Sequence, residues 1–190
     1  GTSACKIAVF TKDGTVKATG TGDYQVYYPH PGWAEQNPEE WWSAVCQAVK
    51  KVIEKAGIQP EEIAGIGIDG QSWSAIAMDK DGNVLTNTPI WMDTRAQSIC
   101  DRLNEEIGAD KIFEVSGNSL QPSYTTAKIL WYKENLPEVY AKIDKILQSN
   151  SYIAYKLTGV MTQDLSQGYG LHCFDMRTGT WKEEMCQAFG

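Results

Sequence analysis

The chain has 190 residues, 42% of them hydrophobic and 22% charged, with a formal net charge of −7. This length is enough to bury a core, and the composition is that of an ordinary globular protein. The negative charge argues against a nucleic-acid surface, which needs clustered lysine and arginine. Neither an export leader nor an apolar run of about 20 residues is found, so export and membrane spanning are not supported.

The cysteine and histidine pattern gives no metal-ligand spacing and no CxxC pair. The residues concerned are Cys5, Cys46, Cys100, Cys173, Cys186, His30 and His172. We therefore predict reduced, buried thiols, a cytoplasmic location and no metal site formed by these side chains.

The first 28 residues carry a β-type pattern. Two short runs, 6–10 and 16–20, flank Lys12-Asp13-Gly14, which is a strong hairpin turn. The run "YQVYY" at 24–28 continues the pattern, so three antiparallel strands in succession are predicted. The opening Gly-Thr-Ser is interpreted as a turn that an earlier strand should precede, and the chain is expected to be incomplete at this end.

A long helix is predicted after the strands. Asn37 is a suitable N-cap, Pro38 fits the first helical position and Glu40 is placed for a capping box. Apolar residues recur at helical spacing until Gly57. The run 63–69 is apolar and β-branched, which predicts a buried strand and the order βββαβ up to this point.

The remainder is predicted to be mainly helical, as one compact unit without repeats or linkers. The predicted elements are a helix from Asp93 or Thr94 to about Ile107, helices at 110–115, 124–135 and 151–158, a helical turn from Pro137, a strand in 145–150, and a terminal helix ending at Gly190.

Three stretches carry side chains suited to ligand binding. Gly1, Thr2 and Ser3 offer backbone N–H groups and hydroxyls to an anion, although any glycine-containing hairpin has the same appearance. Gln71 and Ser72 could bind sugar hydroxyls. These side chains follow a predicted strand, where α/β proteins often bind ligands.

Aromatic side chains accompany these polar groups. Trp73 could stack on the carbon-bound face of a sugar, or it could be a core residue beside a simple turn. Trp91 precedes Asp93, which is either the N-cap of a helix or an acceptor for vicinal hydroxyls oriented by Arg95. The residues alone indicate a crevice for a polyhydroxylated ligand and show no reaction.

The order of several motifs resembles that of FGGY-family carbohydrate kinases, most closely xylulose kinases. The motifs are "GTS", "GWAEQNPEEWW", "GIDGQSW", "WMDTRA", "ILWYKENLPE", "YKLTG" and "DLSQGYGLHCFDMRTGTW". The resemblance covers essentially the whole chain. It implies an α/β domain of the ribonuclease H-like, actin/hexokinase type, with a mixed sheet of order βββαβα flanked by helices.

The resemblance also implies which residues form the site. Gly1, Thr2 and Ser3 match a turn that contacts the phosphates of ATP. The sugar-binding positions are matched by Gln71, Ser72, Trp73, Trp91, Asp93, Arg95 and Tyr124. Xylulose kinases usually have Met-His where this chain has Ser72-Trp73. Because of this difference, the resemblance does not determine which sugar is bound.

By the same resemblance, residues 1–190 form an N-terminal sugar-binding domain that is incomplete at both ends. The family's catalytic aspartate lies beyond Gly190, so the chain is expected to contain no catalytic residue. The nucleotide domain is likewise absent from it.

The implied activity is transfer of the γ-phosphoryl of ATP, with Mg²⁺, to a ketopentose such as xylulose. Two alternatives stay open: a kinase for ribulose, a deoxyketohexose, gluconate or glycerol, and a non-catalytic sugar-binding module. Sugar and ATP are the expected partners, without nucleic acid or membrane, and formation of a homodimer is left open.

Overall fold

The β-type pattern at the start of the chain forms an antiparallel hairpin. In the computed structural model, which describes residues 1–190, strand β1 covers Ala4–Phe10 and strand β2 covers Val16–Asp23. Gly14 in the connecting turn has φ +88°, a conformation that glycine adopts without steric cost. The predicted hairpin is therefore confirmed.

Helix α1, Pro38–Ala56, packs on this hairpin. The Asn37 side chain accepts the N–H of Glu39, and Gly57 ends the helix in the left-handed conformation. Both predicted ends are therefore confirmed. The capping box is wrong, because the Glu40 carboxylate accepts the hydroxyl of Tyr27 at 2.5 Å instead of an N–H at the helix start.

Two predicted strands are wrong. Residues 24–28 contribute only one antiparallel bridge, from Tyr27 to Glu35. Residues 63–69 lie outside every sheet, and Ile66 among them is 68% exposed. An apolar β-branched run becomes a buried strand only when other strands pair with it, and no strand of this chain pairs with it.

The mixed sheet and the order βββαβα are consequently not observed. The third strand is the short β3, Glu35–Gln36, which pairs antiparallel with β5, Thr88–Pro89. The remaining strands are β4 (Ile76–Met78), β6 (Lys145–Leu147), β7 (Phe174–Asp175) and β8 (Thr180–Trp181). β4 pairs with β6 and β7 with β8, so the structure contains four two-stranded antiparallel sheets.

Most of the predicted helices are confirmed. They are α2 (Gln97–Leu103), α3 (Ala109–Ser116), α4 (Thr125–Asn135), α5 (Pro137–Tyr140), α6 (Ser149–Thr158) and α7 (Glu183–Phe189). A π-helical turn, Asn104–Gly108, joins α2 to α3, and short 3₁₀ segments cover Pro60–Glu62 and Leu165–Gly170. α2 starts after Ala96 rather than at Asp93 or Thr94.

Two hydrophobic clusters form the core. The larger one joins α2, α4 and α7 through residues such as Leu103, Trp131 and Phe189. The smaller one, which includes Trp41 and Ile76, joins α1 to β4, β6 and α6. β4 contributes to both clusters, so the segment that precedes it is held between them.

All five cysteines are free, but the prediction that they are buried is wrong for four of them. Cys100 is buried on α2, whereas the other four are partly exposed. No helix in the structure combines the length and apolarity that crossing a membrane requires.

Candidate functional site

An open cleft of about 460 Å³ lies where the start of the chain meets the segment before β4. Its lining residues are Gly1, Thr2, Asp69, Gly70, Gln71, Ser72, Trp73 and Trp91. The indole N–H of Trp91 donates to the Thr2 hydroxyl at 2.9 Å. Two candidate phosphate-binding residues and four candidate sugar-binding residues therefore share one cleft, although the sequence separates them widely.

A chain of buried amides orients Gln71. The Gln36 side-chain NH₂ donates to the carbonyls of Thr2 at 2.7 Å and Gln25 at 3.1 Å, so the Gln36 carbonyl oxygen faces Gln71. That oxygen accepts from the Gln71 NH₂ at 2.6 Å. The Gln71 Oε1 atom is left buried without a partner. A buried acceptor of this kind favours binding of a hydroxyl or N–H donor.

Trp73 has a strained backbone at the edge of the cleft. Its φ of +65° makes it the only residue other than glycine with positive φ, and such a conformation costs about 1–3 kcal/mol. Two side chains from distant elements hold it. Its N–H donates to Gln148 Oε1 at 3.0 Å, and its carbonyl accepts from Lys128 Nζ at 2.6 Å.

An aromatic cluster supports the indole ring; we define it as Trp73, Tyr124, Tyr169 and His172. The centroid of Trp73 lies 4.6 Å from Tyr124 and 5.7 Å from Tyr169, and Tyr124 lies 5.2 Å from His172. Burial lowers the pKa of His172 to about 4, so this imidazole is neutral at neutral pH. An added Cβ at Gly170 would lie 2.6 Å from Trp73 Cδ1, so only glycine leaves room for the ring.

Asp93 and Arg95 do not line the cleft. The Asp93 carboxylate is fully buried, accepts the N–H of Ala34 at 2.7 Å and binds the Arg95 guanidinium through two parallel hydrogen bonds of 2.9 and 2.8 Å. Arg95 also contacts Glu35 at 2.8 Å and lies over the ring of Trp33 at 3.8 Å. Arg95 is thus paired with Asp93 inside the protein, and their expected role toward sugar hydroxyls stays a prediction.

The other candidate residues occupy the margins of the site. Tyr124 stands behind Trp73 and contacts it through its ring, without lining the cleft. Ser3 is exposed and also lies outside the lining. Of the candidates, the structure therefore brings Gly1, Thr2 and residues 71–73 together with Trp91.

The cleft contains groups that fit a phosphate. Gly1 and Thr2 line the cleft, and the hydroxyl and backbone N–H groups of such a turn are the usual ligands of a phosphate. Asp69 is the acidic residue of the lining. Because Mg²⁺ in phosphoryl-transfer sites is held by one or two carboxylates together with the phosphates, the lining does not need a complete cage of protein ligands.

Several residues that build the site were not singled out from the sequence. Gln36 lies within the "GWAEQNPEEWW" motif, so the signal was present there. Lys128 lies on α4 at helical spacing from Trp131 and Tyr132, and a lysine on an apolar helix face is a sign of a buried role. Tyr169 likewise lies within the "DLSQGYGLHCFDMRTGTW" motif, whereas Gln148 carried no such signal. The proximity of both residues to Trp73 depends on tertiary structure.

The chain is similar to known carbohydrate kinases in sequence and in fold. The model of the FGGY family of carbohydrate kinases, N-terminal domain, matches residues 1–190. A xylulose kinase from Escherichia coli is 32% identical over 188 residues, covering 99% of this chain and 38% of the relative. A glycerol kinase from Thermococcus gammatolerans is 29% identical over 194 residues, covering 100% of this chain and 39% of the relative.

A solved structure shows the same fold. The crystal structure of a xyloylose kinase from Brucella ovis superposes with a TM-score of 0.92 at 29% identity, covering 100% of this chain and 38% of that one. The chain therefore spans about two fifths of the length of these proteins, and its α/β architecture is that of their corresponding part.

Proposed function

The chain belongs to the FGGY family of carbohydrate kinases, and on this premise we propose that it is the sugar-binding part of an ATP-dependent kinase. In this proposal the parent protein transfers the γ-phosphoryl of ATP to a hydroxyl of a ketopentose, most consistently xylulose. Residues 1–190 are its N-terminal domain, and a nucleotide domain follows in the parent.

The observation that carries the proposal is the shared cleft. Thr2, with groups suited to phosphate, lines the same cleft as Gln71 and Ser72, with groups suited to hydroxyls. Phosphoryl transfer requires mainly that donor and acceptor be aligned and that the developing charge be stabilised. A cleft that presents both kinds of group side by side has the arrangement that this alignment needs.

The chemistry of the walls supports a sugar. Gln71 has a buried acceptor oxygen without a partner, Ser72 has a hydroxyl, and Trp73 and Trp91 add apolar area. A sugar presents both hydroxyls and carbon-bound hydrogens, so it matches a wall of mixed polarity. A relative in sequence is a xylulose kinase, and a relative in structure is a xyloylose kinase. These names favour a ketopentose over the other sugars and polyols.

The named residues bind and orient, and none of them is assigned a proton transfer. ATP supplies the electrophilic phosphoryl group when it is bound. We therefore propose that the isolated chain forms no ADP. The free cysteines favour a reducing compartment such as the cytoplasm as the place of action.

The test is ADP formation by the full-length parent with Mg-ATP and a panel of xylulose, ribulose, a deoxyketohexose, gluconate and glycerol. We expect turnover with xylulose at a kcat/KM at least tenfold above the other members of the panel. Turnover with another member, for example glycerol, would retain the kinase and replace the substrate.

The non-catalytic alternative makes a different prediction. A folded full-length protein that binds xylulose, as measured by calorimetry, but forms no ADP with any sugar would contradict the kinase proposal. The isolated chain serves as the control, since ADP formation by residues 1–190 alone would contradict their assignment as the sugar-binding part only.

A further inference from the structure

Lys128 is a fully buried lysine that forms no salt bridge. Its side chain is 0% exposed, and its ammonium donates to the carbonyl oxygens of Trp73 at 2.6 Å and Ser123 at 2.7 Å. None of the salt bridges in the structure includes it. Since burial of an ammonium is costly, these two contacts are its main compensation.

The two carbonyls belong to the backbone that carries two rings in edge-to-face contact. One is that of Trp73 itself, and the other is that of Ser123, directly before Tyr124. The two ring centroids lie 4.6 Å apart. The Lys128 ammonium, near the start of α4, therefore binds the backbone of Trp73 and the backbone next to Tyr124 at the same time.

The contact with Trp73 is made where the backbone is least stable by itself. With φ at +65°, Trp73 occupies a conformation that a residue with a Cβ rarely adopts. Only Gln148 and Lys128 hold the polar backbone groups of this residue. Without the ammonium, the carbonyl is free to turn, and the indole at the cleft wall turns with it.

We propose that Lys128 is a positioning residue of the sugar site, which fixes Trp73 in its left-handed conformation and thereby shapes the wall that the sugar contacts. The nature of the ligand rests on the proposed function. The effect on Trp73 does not, because it requires only the contact between Lys128 and the Trp73 carbonyl.

The charge of Lys128 makes this role dependent on pH. Burial lowers the pKa of Lys128 to about 7; the nearby Asp93 raises it and Arg95 lowers it further. The ammonium is therefore present below pH 7 and is lost as the pH rises through 7. A neutral amine donates weaker hydrogen bonds to the two carbonyls.

Three aromatic side chains of this region, Tyr124, Tyr132 and His172, have a pKa that burial displaces away from 7. Burial raises the pKa of Tyr124 and Tyr132 on the same segment, and lowers that of His172 to about 4. We therefore expect the KM for the sugar to rise as the pH increases from 6 to 8.5.

The experiment compares Lys128→Met and Lys128→Arg in the full-length parent enzyme, with Lys50→Met as control. Lys50 is an exposed lysine on α1, so the control makes the same change on a helix surface. For Lys128→Met we expect the KM for the sugar to rise about tenfold or more. The KM for ATP should stay within about twofold, and the pH dependence of the sugar KM should disappear. Lys128→Arg should recover part of the affinity.

Stability is measured in the same variants, by urea unfolding. Lys128→Met removes a costly buried charge but leaves two carbonyl oxygens without their donor, so it should fold with a loss of at most about 1–3 kcal/mol in the free energy of unfolding. A folded Lys128→Met enzyme whose sugar KM and pH profile equal those of the unmodified enzyme would overturn the proposal.

A readout independent of activity separates this proposal from the proposed function. Lys128→Met should change the near-ultraviolet circular dichroism of the protein, and the change should vanish when Trp73 is already replaced by phenylalanine. If no sugar is phosphorylated but this dependence on Trp73 is found, the proposed function fails and the positioning role stands. If Lys128→Met leaves the spectrum unchanged, the positioning role fails.

Discussion

Trp73 combines a strained backbone, an indole at the wall of the cleft and a position where the motif differs from the Met-His expected of xylulose kinases. A bulky ring there reduces the space beside Gln71 and adds an apolar face. Specificity for a small ligand is a difference between such contacts. This residue is therefore where the chain has the strongest reason to differ from its relatives in sugar preference.

We predict that Trp73→His in the parent enzyme changes the ratio of kcat/KM between xylulose and the other sugars by about tenfold, the effect expected when roughly 1.4 kcal/mol of pocket contacts changes. Histidine tolerates positive φ better than most residues, so the fold should persist. Trp181→His, at an exposed tryptophan of β8, is the matched control and should leave the ratio unchanged. An unchanged ratio in Trp73→His would show that Trp73 does not determine the sugar preference.

Arg95 shows how a residue of a site motif can have an internal role. Its guanidinium is paired with Asp93 and Glu35 and lies over the rings of Trp33 and Trp131. From the sequence, Asp93 could be an N-cap or a hydroxyl acceptor, because both roles need only an exposed carboxylate near a helix start. The choice between them depended on burial, which local sequence does not specify.

We predict that Arg95→Met lowers the free energy of unfolding by about 3–5 kcal/mol, because it leaves the buried Asp93 carboxylate without its partner. Arg102→Met is the control, because the Arg102 side chain pairs with Glu106 and Glu134 but is itself 45% exposed. There the loss should be about 0–1 kcal/mol. Urea unfolding of both variants measures the difference, and equal losses would contradict the burial argument.

At the scale of elements, helices were predicted better than strands. Asn37, Gly57 and Gly159 mark helix ends through local hydrogen bonds and backbone conformation, which neighbouring residues encode. A strand needs a partner, and the partner is not visible in the strand's own sequence. The runs 24–28 and 63–69 have strand composition, but neither has the ladder of hydrogen bonds that defines a strand.

The contact between α1 and β2 depends on a glycine with no space for a side chain. An added Cβ at Gly22 would lie 2.6 Å from the carbonyl oxygen of Ala44, and backbone cannot move aside as a side chain can. We predict that Gly22→Ala lowers the free energy of unfolding by about 1–3 kcal/mol through overpacking.

Thr21→Ala is the control for this prediction, since Thr21 is exposed on the same strand. Its effect should stay within about 0.5 kcal/mol. Thermal unfolding of the two variants compares them directly, and a Gly22→Ala variant as stable as the unmodified chain would show that α1 can shift without cost.

For the whole molecule, the sequence predicted individual residues of the site but not which of them lie together. The sequence separates Thr2, Gln71 and Trp91, and only the fold shows that they line one cleft. Motif order identified the family because many short stretches had to agree together. The supporting residues Gln148 and Tyr169 were missed, since their role arises from contacts made across the core.

The stability of the whole chain should depend on pH through His172. Burial lowers the pKa of this imidazole to about 4, below its ordinary value of about 6.5. Between these two pH values His172 is protonated in the unfolded chain and neutral in the folded chain. The contribution of His172 to the free energy of unfolding is therefore complete above pH 6.5 and is lost as the pH decreases toward 4. Between pH 7.5 and pH 5 we predict a loss of roughly 2 kcal/mol from this residue.

His172→Phe tests this expectation, because phenylalanine keeps an aromatic ring in the cluster and cannot be protonated. The free energy of unfolding, measured in urea at pH 7.5 and pH 5, should fall by about 2 kcal/mol less in the variant than in the unmodified chain. An equal decrease in both proteins would assign the acid sensitivity to other groups.

The exposed run 63–69 also determines how this chain behaves in concentrated solution. It lies outside every sheet, and Ile66 exposes an apolar side chain to solvent. A segment of this kind is a template for a strand from a neighbouring molecule. Storage and crystallisation of residues 1–190 alone should therefore be limited by edge-to-edge association, and light scattering should increase with protein concentration well before the chain unfolds.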